Sequence, residues 1–223
     1  MILRRIIQAG ILICLAAAVA AASSAPVDIT YLLNNTGAQG ASAFGQSDQH
    51  WTVDGGTAYV TDLSGGQFPV PYWLAVNAGD PSAWISPSPD YSDFGSDAEN
   101  TTFDFQTTFD LTGYDPGATS VFFRYMDDNE LTAVMINGTP VGFAIGAGMQ
   151  AWSGYTKISG EGLFNGGVNT LDFLVYNASG TSGNPAGLRV ELSGEVVPEP
   201  GSLALIGSGM LLFGGLLRRK LAR

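Results

Sequence analysis

The sequence predicts an all-β protein, a single β-sandwich with a signal helix before it and a transmembrane helix after it. Three observations carry this reading. From Val27 to about Glu195, apolar and polar residues alternate with period two in short runs bounded by Gly, Pro, Asn and Asp. That region shows no helical periodicity and no internal repeat. Both ends of the chain, by contrast, pair an apolar stretch with arginines. Twelve Phe, eight Tyr and four Trp among 223 residues supply enough apolar bulk for a core and argue against disorder.

Residues 1–22 read as a secretory signal peptide. Arg4 and Arg5 form its positive start, Gly10 to Ala20 its apolar centre, and the small residues from Ala20 to Ala25 the cleavage region. Cleavage after Ala22 by signal peptidase, on the general secretion route, removes Cys14. The mature chain then has no cysteine and no disulfide framework, although it is exported.

Within residues 23–196 the clearest strand is Thr101 to Leu111, where Phe103, Phe105, Thr107, Phe109 and Leu111 alternate with polar residues. Val121-Phe123-Tyr125 and Leu131 to Ile136 follow, joined across Asp127-Asp128-Asn129-Glu130, and Asn137-Gly138 signals a hairpin into Val141. Leu171-Phe173-Val175 and Leu188-Val190-Leu192 alternate in the same way. About ten such strands make one sandwich, with a jelly roll the expected arrangement. Residues 37–50 and 77–100 read as long loops. Between Ser23 and Leu217 the only basic residues are Arg124, Lys157 and Arg189, against all twenty acids, a formal charge of −17. Nothing remains to neutralise phosphates, which excludes a nucleic-acid binder.

The chemistry-bearing residues are few. His50 is the lone histidine, the mature chain lacks a cysteine nucleophile, and no Gly-x-Ser-x-Gly elbow occurs. The domain is therefore expected to be non-catalytic, although paired carboxylates keep a glycoside-active enzyme open. His50, beside Trp51, is expected to pack in a strand. One His without Cys excludes a four-ligand zinc site, which leaves calcium as the ion to consider. Asp127, Asp128 and Glu130 are the candidate ligands, and Asp90, Asp93, Asp97 and Glu99 form a second acidic group. The competing reading of Asp127 to Glu130 is hairpin chemistry, with Asx side chains capping a turn between two strands. For a sugar, Trp84, Tyr91 and Trp152 are candidate platforms and Asn129 a candidate polar partner. The competing reading is that a sandwich tryptophan belongs to the core, and it is preferred for Trp51 and Trp73. Asn34, Asn100, Asn137 and Asn177 begin Asn-x-Ser/Thr sequons and are read as turn residues.

The C-terminal segment runs Val197-Pro198-Glu199-Pro200-Gly201, then uncharged to Leu217, then Arg218-Arg219-Lys220 and on to Arg223. Residues 201–217 reach ~25 Å as a helix, and the basic tail, 218–223, predicts a cytoplasmic end with the domain outside. This order resembles the PEP-CTERM sorting signal of Gram-negative bacteria. The resemblance implies recognition by a membrane-embedded exosortase, processing near Pro198–Pro200, and a setting of exopolysaccharide and biofilm. The runs Phe122 to Leu131, Ile136 to Val141, Gly166 to Phe173 and Pro185 to Val190, with Asp48 to Trp51 and Ala83 to Ile85, resemble the galactose-binding-domain-like sandwiches of such cargo. That fold serves lectins, enzyme appendages and structural modules alike.

The expected protein is exported, held transiently in the inner membrane by its C-terminal helix, then placed at the cell surface or in the extracellular matrix. Its module is expected to be structural or adhesive, with exopolysaccharide as a candidate partner. A calcium-dependent lectin-like module is the alternative, and a secreted glycoside-active enzyme the third.

Overall fold

A computed structural model describes residues 25–38, 44–61, 72–77, 79–89, 98–179 and 184–197. The expected signal peptide (1–22) and transmembrane span (201–217) lie outside these residues. The described chain is all-β. Eleven strands follow in order: β1 (Val27–Asp28), β2 (Ser47–Val53), β3 (Gly56–Val60), β4 (Ile85–Ser86), β5 (Thr101–Asp110), β6 (Thr119–Asp128), β7 (Glu130–Ile136), β8 (Thr139–Val141), β9 (Thr156–Ser159), β10 (Val168–Asn177) and β11 (Gly187–Val196). Helical structure among the described residues is limited to 3-10 turns at Thr30–Leu32 and Pro116–Ala118.

The strands form one antiparallel hydrogen-bonded path, β8-β7-β10-β5-β2-β3-β4-β11-β6-β9, with β1 pairing β11 off the path. The long strands are those whose alternation is cleanest. In β5, Phe103, Phe105, Thr107 and Phe109 are buried while their neighbours are not, because successive side chains point to opposite faces. β10 pairs β5 without a break from Val168↔Asp110 to Asn177↔Thr101, and β11 pairs β6 from Gly187↔Asp128 to Val196↔Thr119.

The path turns back on itself so that β10 meets β6 across the core. Phe123 of β6 packs edge-on against Phe173 of β10 at 5.2 Å, and Trp51 of β2 tilts against the same ring at 5.7 Å. Trp51 and Trp73 are both buried, as their alternating runs predict. Asn137 (φ 51°) and Gly138 (φ 75°) make the expected tight turn between β7 and β8, since two consecutive positive φ angles match the twist of a two-residue hairpin.

Three expectations need correction. Residues 47–50 belong to β2 rather than a loop, because the Asp48 carboxylate accepts hydrogen bonds from the His50, Trp51 and Gly37 amides and so holds an irregular strand. The 77–100 region contains β4. Asp127 to Glu130 is no hairpin: β6 pairs β11 and β9, whereas β7 pairs β10 and β8. That corner carries the chain from one half of the sheet to the other.

The free edge of β11 is closed by the N-terminal segment. Ile29 N donates to Gly194 O at 2.9 Å, and Gly194 N donates to Thr30 Oγ1 at 3.1 Å. Leu192 N donates to Asn35 Oδ1 at 2.7 Å, and Val190 N to Thr36 Oγ1 at 2.9 Å. Side chains stand in where a partner strand is missing, as buried backbone donors require.

Candidate functional site

Two segments, residues 72–77 with 79–84 and residues 144–155, cover the outer face of β6 and β11. Leu74 N donates to Met149 O, and Ser153 N donates to Tyr125 O. Beneath them lies a second, smaller core of Trp73, Trp84 and Met126. The two indoles stack at 4.5 Å. Trp84 Nε1 donates to Leu74 O at 3.0 Å, and Trp73 Nε1 donates to Asp128 Oδ2 at 2.7 Å. Trp84 is 0% exposed. The sequence-predicted platform at Trp84 is therefore a core residue, since a ring with no open face cannot stack on a sugar. Tyr91 lies outside the described residues.

Trp152 is half-buried beside an array of charge. The Arg124 guanidinium lies 4.4 Å from the Trp152 ring centre and 5.3 Å from that of Tyr155. The Arg189 guanidinium lies 5.1 Å from Trp152. Such contacts over an aromatic face are attractive, the more so when desolvated. Arg124 is also bound to Glu191, with Nε at 2.8 Å and Nη2 at 2.6 Å from Oε2. Arg189 is buried, donating to Ser82 Oγ at 2.9 Å and to Asp80 Oδ2 at 3.0 Å. The Asn77 amide and then Arg189 hold the Asp80 carboxyl below its ordinary range.

Lys157 completes the group, 5.3 Å from the Phe122 ring and 3.7 Å from Glu195. All three cations of the domain thus sit on one outer face, that of β6, β9 and β11. Register is the cause: Glu191 pairs with Arg124 and Lys157 with Phe122, and alternation turns them all outward. Tyr155, 64% exposed, is the open end of this array, with Tyr72 and Ile145 also exposed in the two covering segments. Sequence reading singled out Trp152 but missed Arg124, Lys157 and Arg189 as a set. Their being the only three cations was the available signal.

The candidate metal ligands do not converge. Asp127 faces the main core side and Asp128 the Trp73 side, because adjacent strand residues point oppositely. Asp127 Oδ2 accepts from Leu131 N at 2.5 Å, and its Oδ1 is buried without a hydrogen-bond partner. Asp128 Oδ1 accepts from Asn129 Nδ2 at 2.9 Å, and Glu130 is exposed. Among the described residues, no group of three or more His, Cys, Asp or Glu lies close enough together to hold a metal. Burial pushes the Asp128 carboxyl up to about 6 against the pull of the Trp73 N–H, with the Asp127 charge adding to the rise. Burial likewise raises Asp127, partly offset by the Leu131 amide.

Asn129, the expected polar partner for a sugar, is a brace. Its Oδ1 accepts from Ala178 N and Asn184 Nδ2, at 2.7 and 2.6 Å. His50 is an exposed strand residue, not a packed one. On the outer face of β5 and β10, Asp104 is raised by burial and by the charges of Asp172 and Asp54. Gln106 Nε2 binds Asp172 at 2.6 Å. These carboxylates were not singled out as a pair by sequence, because strand pairing alone brings them together.

Among known families, the PEP-CTERM protein-sorting motif matches residues 196–220. The matched range includes Val197 to Pro200 and Arg218 to Lys220, and the motif marks an exported chain, transiently anchored in the membrane and processed by exosortase. No curated protein matches the chain. Among solved structures, the enzymatically active domain of bacteriophage CBA120 tailspike protein 4 is similar at 14% identity and a TM-score of 0.35. That similarity covers 73% of this chain and 21% of the tailspike chain, so the chain spans about a fifth of that relative's length.

Proposed function

We propose that the protein is a non-catalytic component of the cell surface or extracellular matrix, delivered by its sorting segment and contacting exopolysaccharide through the Tyr155–Arg124–Trp152 face. The module is read as a jelly-roll sandwich of the galactose-binding-domain-like kind. The observation that carries the reading is the sorting motif starting at Val196, the last residue of β11. A folded domain ending directly in such a signal is cargo. Glycan contact is supported by the exposed Tyr155 ring against a fixed guanidinium, an apolar face beside hydrogen-bond donors, which suits the C–H faces and hydroxyl edges of sugars.

The test is binding of the processed protein to exopolysaccharide from its own host, measured by co-sedimentation. Saturable binding that Tyr155→Ala weakens about tenfold is expected, in line with aromatic anchors at other recognition surfaces. Binding unchanged by Tyr155→Ala would remove this face from the reading. Release of new reducing ends from the polysaccharide would replace the non-catalytic reading with the glycoside-active one, and Asp104 with Asp172 would be the carboxylates to substitute.

A calcium-dependent lectin remains the second reading, favoured by the buried Asp127 Oδ1 that lacks a partner. Of the three expected ligands only Asp127 suits it, since Asp128 is spent on Trp73 and Asn129. Binding lost on chelation and restored by calcium would support it.

A further inference from the structure

Val196 is both the last residue of β11 and the first residue of the matched sorting segment. Val196 is paired to Thr119, Glu195 to Ser120 and Gly194 to Val121, while the matched motif begins at 196. β11 ends at Val196, and Pro198 and Pro200 of the sequence that follows lack backbone donors. Only Val197 therefore lies between the paired strand and Pro198.

Gly194 is held on its other edge as well, by Ile29 N and Thr30 Oγ1. The approach is close: a Cβ on Gly194 would meet Ile29 Cγ1 and Leu33 Cδ1, each at 3.0 Å. Ile29 and Val196 are both buried. Recognition of an extended peptide draws on the peptide's own backbone hydrogen-bonding groups. Those groups in residues 194–196 are already engaged.

Resting on the exosortase reading, we infer that Ile29 and Thr30 form a clasp that sets the rate of processing. The end of β11 must leave both the clasp and β6 before residues 194–197 can enter the enzyme. Cleavage then follows the population of the frayed strand end, as it does wherever opening is fast relative to cutting. Thr30 and Ile29 are positioning residues for this reaction, since they touch the strand and not the scissile bond.

The experiment is a pulse-chase of the full chain in cells carrying the processing enzyme, following conversion to the shortened form. Thr30→Ala removes one hydrogen bond from the clasp and should raise the conversion rate about fivefold. A six-residue Gly/Ser spacer between Val197 and Pro198 leaves the domain intact and frees the motif from the strand. It should speed conversion at least as much, and Thr30→Ala should have no further effect in the spacer background. Unchanged conversion in the spacer variant would overturn the clasp. So would equal acceleration by Thr30→Ala with and without the spacer, which marks general destabilisation. If no form is ever shortened, the processing reading itself falls, and the clasp with it.

Discussion

Gly187 shows how much the outer core depends on one missing methyl group. A Cβ there would lie 2.3 Å from Trp73 Cη2 and 2.5 Å from its Cζ2, so Gly187→Ala must move the indole off Trp84 and strain its bond to Asp128. Overpacking of this kind costs about 1–3 kcal/mol. Thermal unfolding should shift down by several degrees, with a changed near-ultraviolet signal from the Trp73–Trp84 stack, and an unshifted midpoint would refute the close contact. Asp128 predicts a pH effect of definite sign. Its ordinary value of 3.8 rises to about 6 in the fold, so between those values the folded state binds more protons than the unfolded. Stability therefore falls as pH rises through that window. Asp104 and Asp127 are shifted in the same direction by burial. The thermal midpoint should be higher near pH 5 than near pH 7.5 at fixed ionic strength, and a rise in the opposite sense would contradict the buried placement of these carboxyls. None of this is legible in sequence. Asp127 and Asp128 look like two ligands side by side, and only the strand's pleat sends them to opposite faces.

Strands were legible in proportion to their length. β5, β6, β10 and β11 each repeat the alternation often enough to be recognised, and Asn137-Gly138 announces its own turn geometry. β1 and β4 have two residues apiece, too few for any period to show. The start of β2 is hidden because a carboxylate, Asp48, stands in for ladder partners. Side-chain substitution for a strand recurs along β11, and Thr36 tests it. Its hydroxyl donates to Ala83 O at 2.7 Å and accepts from Val190 N at 2.9 Å. Thr36→Val keeps the shape and leaves both buried groups unpaired, which should cost about 2–4 kcal/mol. Urea denaturation should show that loss, with faster hydrogen exchange at the Val190 amide. An exchange rate like that of the parent would mean β11 does not rely on this cap. The corner at Asp127–Glu130 was misread for a different reason: a short turn between two strands has the same composition whether it closes a hairpin or crosses the core.

For the whole molecule the expected end products are plain. Intact mass of the processed protein should correspond to a chain from Ser23 to a terminus near Pro198–Gly201, and recovery of the Arg223 end from surface material would refute processing. Addresses of this kind are read by enzymes as linear segments, so the sequence by itself determined export, the sorting motif and the all-β class. Local composition and period are sufficient for each. The candidate surface is another matter. Trp84 and Trp152 both sit in turn-rich runs, yet one is sealed against Trp73 while the other lies against two guanidiniums. Arg124, Lys157 and Arg189 are scattered over sixty-six positions of sequence and meet through the register of β6, β9 and β11. Burial and cross-strand pairing are non-local quantities, set by which strands become neighbours, and so the choice of exposed aromatic, the gathering of the cations and the closing of β11 by the N-terminal segment were decided only by the tertiary structure.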